Sequence, residues 1–218
     1  MVEISTSVLS VKKEGATKTF YNLEIAHTDY FHIDLMDGKF VKNNTEELML
    51  DYANTIKQIS NIPLDIHLMV ENVKEKVDEY IGLNPNIITF HLEACKNSEE
   101  VLDIINYIKE NNIKVGIAIK PDTKIEEVYE FLPLIHMCLV MTVEPGEGGQ
   151  KLIPETVVKI DTLKKYISEN NIDIDIEADG GIDAYNSKIL EGVGVNILVV
   201  GTAIISAENY QEEIKKLK

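Results

Sequence analysis

Only two cysteines, Cys95 and Cys138, occur in the chain. They are too few for a disulfide framework and lack the spacing of a metal-binding pair, so both read as reduced, mostly buried thiols. Long apolar runs are missing as well. No stretch approaches the roughly 20 residues that a membrane span needs, and the opening MVEISTSVLS has no basic segment ahead of an apolar one. A soluble, cytoplasmic protein is the expectation. Positive charge is scarce: 21 basic against 37 acidic residues give a formal net charge of −16. Such a field repels polyanions and disfavours nucleic acid and anionic membrane as partners. It leaves room for a small phosphorylated substrate, because backbone amides at helix N-termini hold phosphate whatever the distant surface charge. No low-complexity segment or Gly/Ser-rich linker interrupts the chain, so residues 1–218 are expected to form one domain.

Short apolar runs alternate with longer amphipathic stretches from end to end. Strands are expected at 3–9, 30–36, 63–69, 86–92, 114–120, 137–143, 173–179 and 195–200. Helical patterns such as TEELMLDYANTIKQIS, SEEVLDIINYIKENN and PETVVKIDTLKKYISENN lie between them, with Thr45, Ser98 and Pro154 suiting helix starts. Eight strand-plus-helix units in 218 residues match an α/β fold of the (β/α)8, or TIM, barrel type, which runs from about 200 residues upward. A doubly wound open sheet is the competing arrangement.

Side chains alternate across a strand with period two. In YFHIDLM, Phe31, Ile33 and Leu35 share one side while Tyr30, His32, Asp34 and Met36 share the other. LDIHLMV sets Ile66, Leu68 and Val70 against Asp65, His67 and Met69; DIDIEAD sets Ile174, Ile176 and Ala178 against Asp175, Glu177 and Asp179. Apolar sides should face helices, which sends the polar sides into the barrel. An ordinary barrel interior is filled with branched apolar side chains, and barrel enzymes keep their sites at the C-terminal strand ends. His32, Asp34, His67 and Asp179 therefore converge if the sheet closes. Two imidazoles and two carboxylates make a mixed N/O donor set suited to Zn, Mn or Fe, and four ionisable groups in one place need a shared counter-charge. His27 and His136 lack such company and read as ordinary surface or core histidines; His91, inward on the fourth strand, reads as a hydrogen-bonded layer residue.

With these motifs in view, STSVLS, HIDLMDGKFVKN, LDIHLMV, TFHLEA, VGIAIKPDT, MTVEPGEGGQ, IEADGGI and VVGTAI, in that order, the chain resembles the ribulose-phosphate 3-epimerase family nearly end to end. The resemblance implies a ribulose-phosphate-binding (β/α)8 barrel that interconverts D-ribulose 5-phosphate and D-xylulose 5-phosphate with one divalent ion, Zn, Fe, Mn or Co. It implies His32, Asp34, His67 and Asp179 as ligands, with Asp34 and Asp179 doubling as acid and base. Inverting C3 of a ketose phosphate removes a proton from one face and returns one to the other, which requires two proton carriers. It further implies substrate contacts from Ser7, Met36, His67, Met69 and Met141, a lid carrying Gly146, Gly148 and Gly149, and phosphate binding by Gly180, Gly181, Gly201 and Thr202. A homo-oligomer acting on a small sugar phosphate is the implied assembly.

The chain departs from the family pattern in places. Lys39 and Lys42 stand where histidine and proline are usual, TSVLS replaces a Pro-Ser start, and Glu147 occupies a lid position that is usually phenylalanine. An anion there repels a phosphorylated sugar if it points inward. The similar allulose-6-phosphate 3-epimerases share the DYFHID motif, so a six-carbon ketose phosphate is the alternative substrate; a catalytically impaired sugar-phosphate binder is another reading. Lyases on similar barrels use an Asp-x-Lys-x-x-Asp pattern, whereas strand two here reads Asp34-Leu35-Met36-Asp37 without lysine.

Overall fold

A computed structural model describes residues 2–218. Its elements are β1 (Glu3–Ser7), α1 (Ala16–Ile25), β2 (Tyr30–Met36), α2 (Glu46–Ile59), β3 (Leu64–Met69), α3 (Val73–Ile81), β4 (Ile87–His91), α4 (Ser98–Glu110) and β5 (Lys114–Ile119). They continue through β6 (Met137–Met141), α5 (Pro154–Glu169), β7 (Asp175–Asp179), α6 (Asn186–Gly192), β8 (Ile197–Val200), α7 (Thr202–Ile205) and α8 (Tyr210–Leu217). The strands pair in parallel and in chain order, and β8 pairs back onto β1 to close the barrel. The expected (β/α)8 architecture is the one observed.

Alternation along the strands sorts the side chains as anticipated. Phe31, Ile33, Leu35, Ile66, Leu68, Phe90, Ile117, Val140, Ile176 and Leu198 face outward into one continuous core with Phe20 and Leu23 of α1, Tyr52 and Ile56 of α2, Ile104 of α4 and Leu163 of α5. Each such aliphatic or aromatic side chain contributes roughly 1.5–3 kcal/mol when buried. Inside the barrel, Ile87, Met137 and Ile197, from the first residues of β4, β6 and β8, form a small apolar cluster at the N-terminal end. Ala118, Leu139, Met141 and Val143 form another towards the C-terminal end.

The fifth crossover differs from expectation. β5 and β6 are joined by two short 3₁₀ turns, Ile125–Val128 and Leu132–Leu134, in place of an α-helix. Pro133 lacks the N–H that a continuing helix requires, yet Ile125, Val128, Phe131 and Leu132 still bury against the sheet. Helix starts hold two smaller surprises. Asn97, not Ser98, caps α4 by accepting from the Glu100 N–H at 3.0 Å. Thr45 stands at the start of α2 but turns its hydroxyl to β2, donating to the Asp34 carbonyl at 2.7 Å and accepting from the Met36 N–H at 2.9 Å. It thereby ties α2 to the strand that carries Asp34. Both cysteines are free. No helix among the described residues is long and apolar enough to cross a membrane.

Candidate metal centre and active site

The β2–β3 register sets His32 beside Asp65 and Asp34 beside His67, and β7 brings Asp179 to the same end of the barrel. His32 Nε2 lies 3.3 Å from Asp34 Oδ1 and 3.9 Å from Asp179 Oδ2; His67 Nδ1 lies 3.4 and 3.5 Å from the same two oxygens. All four donor atoms fall within 4.8 Å of one another. His32 Nε2 and His67 Nδ1 are buried and have no hydrogen-bond partner. Four donors held about 2.0–2.1 Å from a tetrahedral ion stand about 3.4 Å apart, so these spacings and orphaned nitrogens fit a divalent cation. With two nitrogens and two oxygens, the set lacks the thiolates that select softer ions.

A second tier of residues holds the first. Asp65 Oδ2 lies 2.6 Å from His32 Nδ1 and accepts from the Ser5 hydroxyl at 2.7 Å; the Ser7 hydroxyl donates to Asp34 Oδ2 at 2.6 Å. Burial opposes charge on His32, but the Asp65 and Asp34 carboxylates outweigh it and lift the imidazole well above its usual range. Burial likewise opposes charge on Asp34, and the two histidines reverse the balance, holding the carboxyl well below the ordinary value. Glu177, fully buried beside Asp65, is pushed the other way by burial and by that carboxylate. Asp65 stays ionised against its own burial, chiefly through His32.

On the other flank, His67 Nε2 is 2.9 Å from His91 Nε2, and His91 Nδ1 is 3.1 Å from Glu93 Oε2. Burial drives His91 down to about 4. Glu93 is held down at about 2: burial opposes its charge, but His91 and the donors of the β5 loop prevail. His91 is thus the hydrogen-bonded layer residue expected of it. His136 accepts from the Val115 N–H at 3.1 Å, and His27 is exposed, both away from the cluster.

Residues 3–205 match the model of the ribulose-phosphate 3 epimerase family. The chain belongs to that family. It is 36% identical over 218 residues to the ribulose-phosphate 3-epimerase of Methanocaldococcus jannaschii, covering 100% of the chain and 90% of the relative. It is 33% identical over 216 residues to the chloroplastic ribulose-5-phosphate-3-epimerase of Arabidopsis thaliana, covering 99% of the chain and 75% of the relative. Among solved structures, a 3-hexulose-6-phosphate synthase superposes with a TM-score of 0.72 at 12% identity, covering 99% of the chain and 98% of that structure. That likeness concerns the barrel fold alone.

Above the four-donor cluster opens a cavity of about 870 Å³. Ser7, Asp34, Met36, Met69, Met141, Gly146, Gly148, Gly149, Asp179, Gly180, Gly181, Gly201 and Thr202 all line it. His32 and His67 lie beneath, fully buried. Gly181 has φ +66°, and a Cβ there would come within 2.3 Å of the Leu152 backbone nitrogen, so only glycine lets the β7 loop pass so close to the exit of the β6 loop. The β6 loop is itself braced: Gln150 Nε2 donates to the Glu144 and Glu147 carbonyls, and Asn43 Nδ2 donates to the Gly146 carbonyl at 2.8 Å. Glu147 is exposed at the rim of the cavity. Sequence reasoning placed Asp65 and Glu177 inside the barrel but gave neither a partner, and it passed over Ser5 and Glu93. The signal for Asp65 was its position two residues before His67 on the same face.

Proposed function

We propose that the protein is a divalent-metal-dependent epimerase acting at C3 of D-ribulose 5-phosphate to give D-xylulose 5-phosphate. The observation that carries this reading is the convergence of two carboxylates, Asp34 from β2 and Asp179 from β7, on the same pair of imidazole nitrogens. His32, Asp34, His67 and Asp179 would hold the ion, which supplies Lewis-acid polarisation of the ketose oxygens. One aspartate takes the C3 proton from one face of the sugar and the other returns a proton to the opposite face, the acid and base titrating as one coupled set. Ser7 engages Asp34 Oδ2 and so leaves Oδ1 turned to the cluster. Met36, Met69 and Met141 offer a dry, adaptable wall against which a planar enediolate lies.

The chain contains no arginine, its 21 basic residues all being lysine. Phosphate binding in this reading falls to loop amides at Gly180, Gly181, Gly201 and Thr202, with Gly146, Gly148 and Gly149 covering the sugar. Incubation with ribulose 5-phosphate in deuterated buffer tests the assignment: deuterium should enter C3 as xylulose 5-phosphate forms, and chelation should abolish both. Faster labelling of allulose 6-phosphate would move the assignment to the six-carbon substrate. Tight binding of either sugar with no exchange at C3 would overturn catalysis and leave a binding protein.

A further inference from the structure

The two ligand histidines turn different nitrogens to the cluster, His32 its Nε2 and His67 its Nδ1. An imidazole ligates through a lone pair, so each ring must keep its hydrogen on the opposite nitrogen, and a neighbour must hold it there. For His32 that neighbour is the Asp65 carboxylate at 2.6 Å. For His67 it is another imidazole, His91 at 2.9 Å, which by itself dictates nothing, since a neutral histidine can donate or accept.

The direction is set one step further out. Glu93 Oε1 accepts from the Lys120 N–H at 2.7 Å and from the Thr123 hydroxyl, while Oε2 faces His91 Nδ1. A carboxylate accepts only, so His91 carries its hydrogen on Nδ1. With that hydrogen on Nδ1, the fully buried ring offers its Nε2 lone pair to the His67 Nε2–H and leaves His67 Nδ1 bare. Resting on the metal-dependent reading above, we infer that Glu93 is a positioning residue: through His91 it fixes His67 in the tautomer that presents Nδ1 to a divalent ion.

Glu93→Gln keeps the shape and reverses the polarity. The Lys120 N–H can only donate, so the amide oxygen must take that side and the NH₂ faces His91 Nδ1. His91 then holds its hydrogen on Nε2 against His67, whose own hydrogen is driven to Nδ1, where the ion needs a lone pair. Chelator-competition titration with zinc and cobalt should show binding about 10–100-fold weaker in Glu93→Gln, with an unchanged circular dichroism spectrum. Thr123→Val, which removes one hydrogen bond to Glu93 without reversing it, should stay near wild type. Independently of any variant, nitrogen–proton correlation spectra of the histidine rings in zinc-loaded wild type should place the hydrogen of His67 on Nε2 and that of His32 on Nδ1. A His67 hydrogen on Nδ1, or a Glu93→Gln protein that binds zinc as tightly as wild type, would overturn the relay and leave the metal reading standing. A wild type that takes up no stoichiometric ion overturns both.

Discussion

The barrel interior is divided between two unlike sectors. On the β1–β3 and β7 side stand Ser5, Ser7, His32, Asp34, Asp65, His67 and Asp179, tied into one ionisable network, with Glu177 buried close to Asp65 and His32. On the β5–β6 side stand Ala118, Leu139 and Met141, packed with Val143 and carrying no charge. The difference teaches that a barrel accepts buried charge when it is concentrated and mutually paired, while the opposite wall keeps water and screening away.

The sharpest way to break that contrast is to silence one proton carrier. Asp179→Asn should lower kcat by about 10³-fold while the thermal midpoint stays close to wild type. Near-normal turnover would show that the polar sector is not the catalyst. Next in size is a matched pair. Asp65→Ala leaves the His32 Nδ1–H and the Ser5 hydroxyl unpaired and should cost about 3 kcal/mol of stability. Leu139→Ala opens a cavity in the apolar wall and should cost about the same. Only the Asp65 variant should also loosen a divalent ion, by about 10–100-fold in chelator competition. Equal ion affinity in the two would erase the distinction between the sectors.

A smaller effect follows from Glu93. Its folded pKa is depressed from 4.5 to about 2, so its contribution to stability is complete above 4.5 and is lost as the pH falls towards 2. The stability gap between metal-free wild type and Glu93→Gln, widest near neutrality, should close across that window in thermal unfolding. A gap indifferent to pH would mean that the Glu93 charge is not what stabilises its surroundings. The smallest change concerns the rim. Glu147→Gln should lower KM for a phosphorylated sugar about two- to threefold at low ionic strength and scarcely at all in high salt, as expected for an exposed charge.

Much of this is legible in the sequence. Period-two alternation revealed each strand because the outward faces are unbroken aliphatic stripes such as Phe31, Ile33 and Leu35. His32, Asp34, His67 and Asp179 stood out because polar groups on inward faces need a reason. Strand ends were overdrawn: the first expected strand ran to residue 9 whereas β1 ends at Ser7, since apolar residues of a loop look like those of a strand. The fifth helix was expected from the regular alternation of units, and only Pro133 argued against it. Glu93 was invisible for a different reason. Its significance lies in which hydrogens face it from Lys120 and Thr123, some 30 residues away in the chain, and no local pattern encodes that meeting.

The Asn43 amide, reaching across to the Gly146 carbonyl, makes neighbours of two connections that leave different strands. Barrel loops ordinarily fluctuate on their own, each anchored only at its two ends. Spliced in this way, the stretch after β2 and the stretch after β6 share their excursions, and the rim above the site has fewer independent degrees of freedom than its separate loops would provide. Part of the disorder that a ligand would otherwise have to remove is already gone before it arrives.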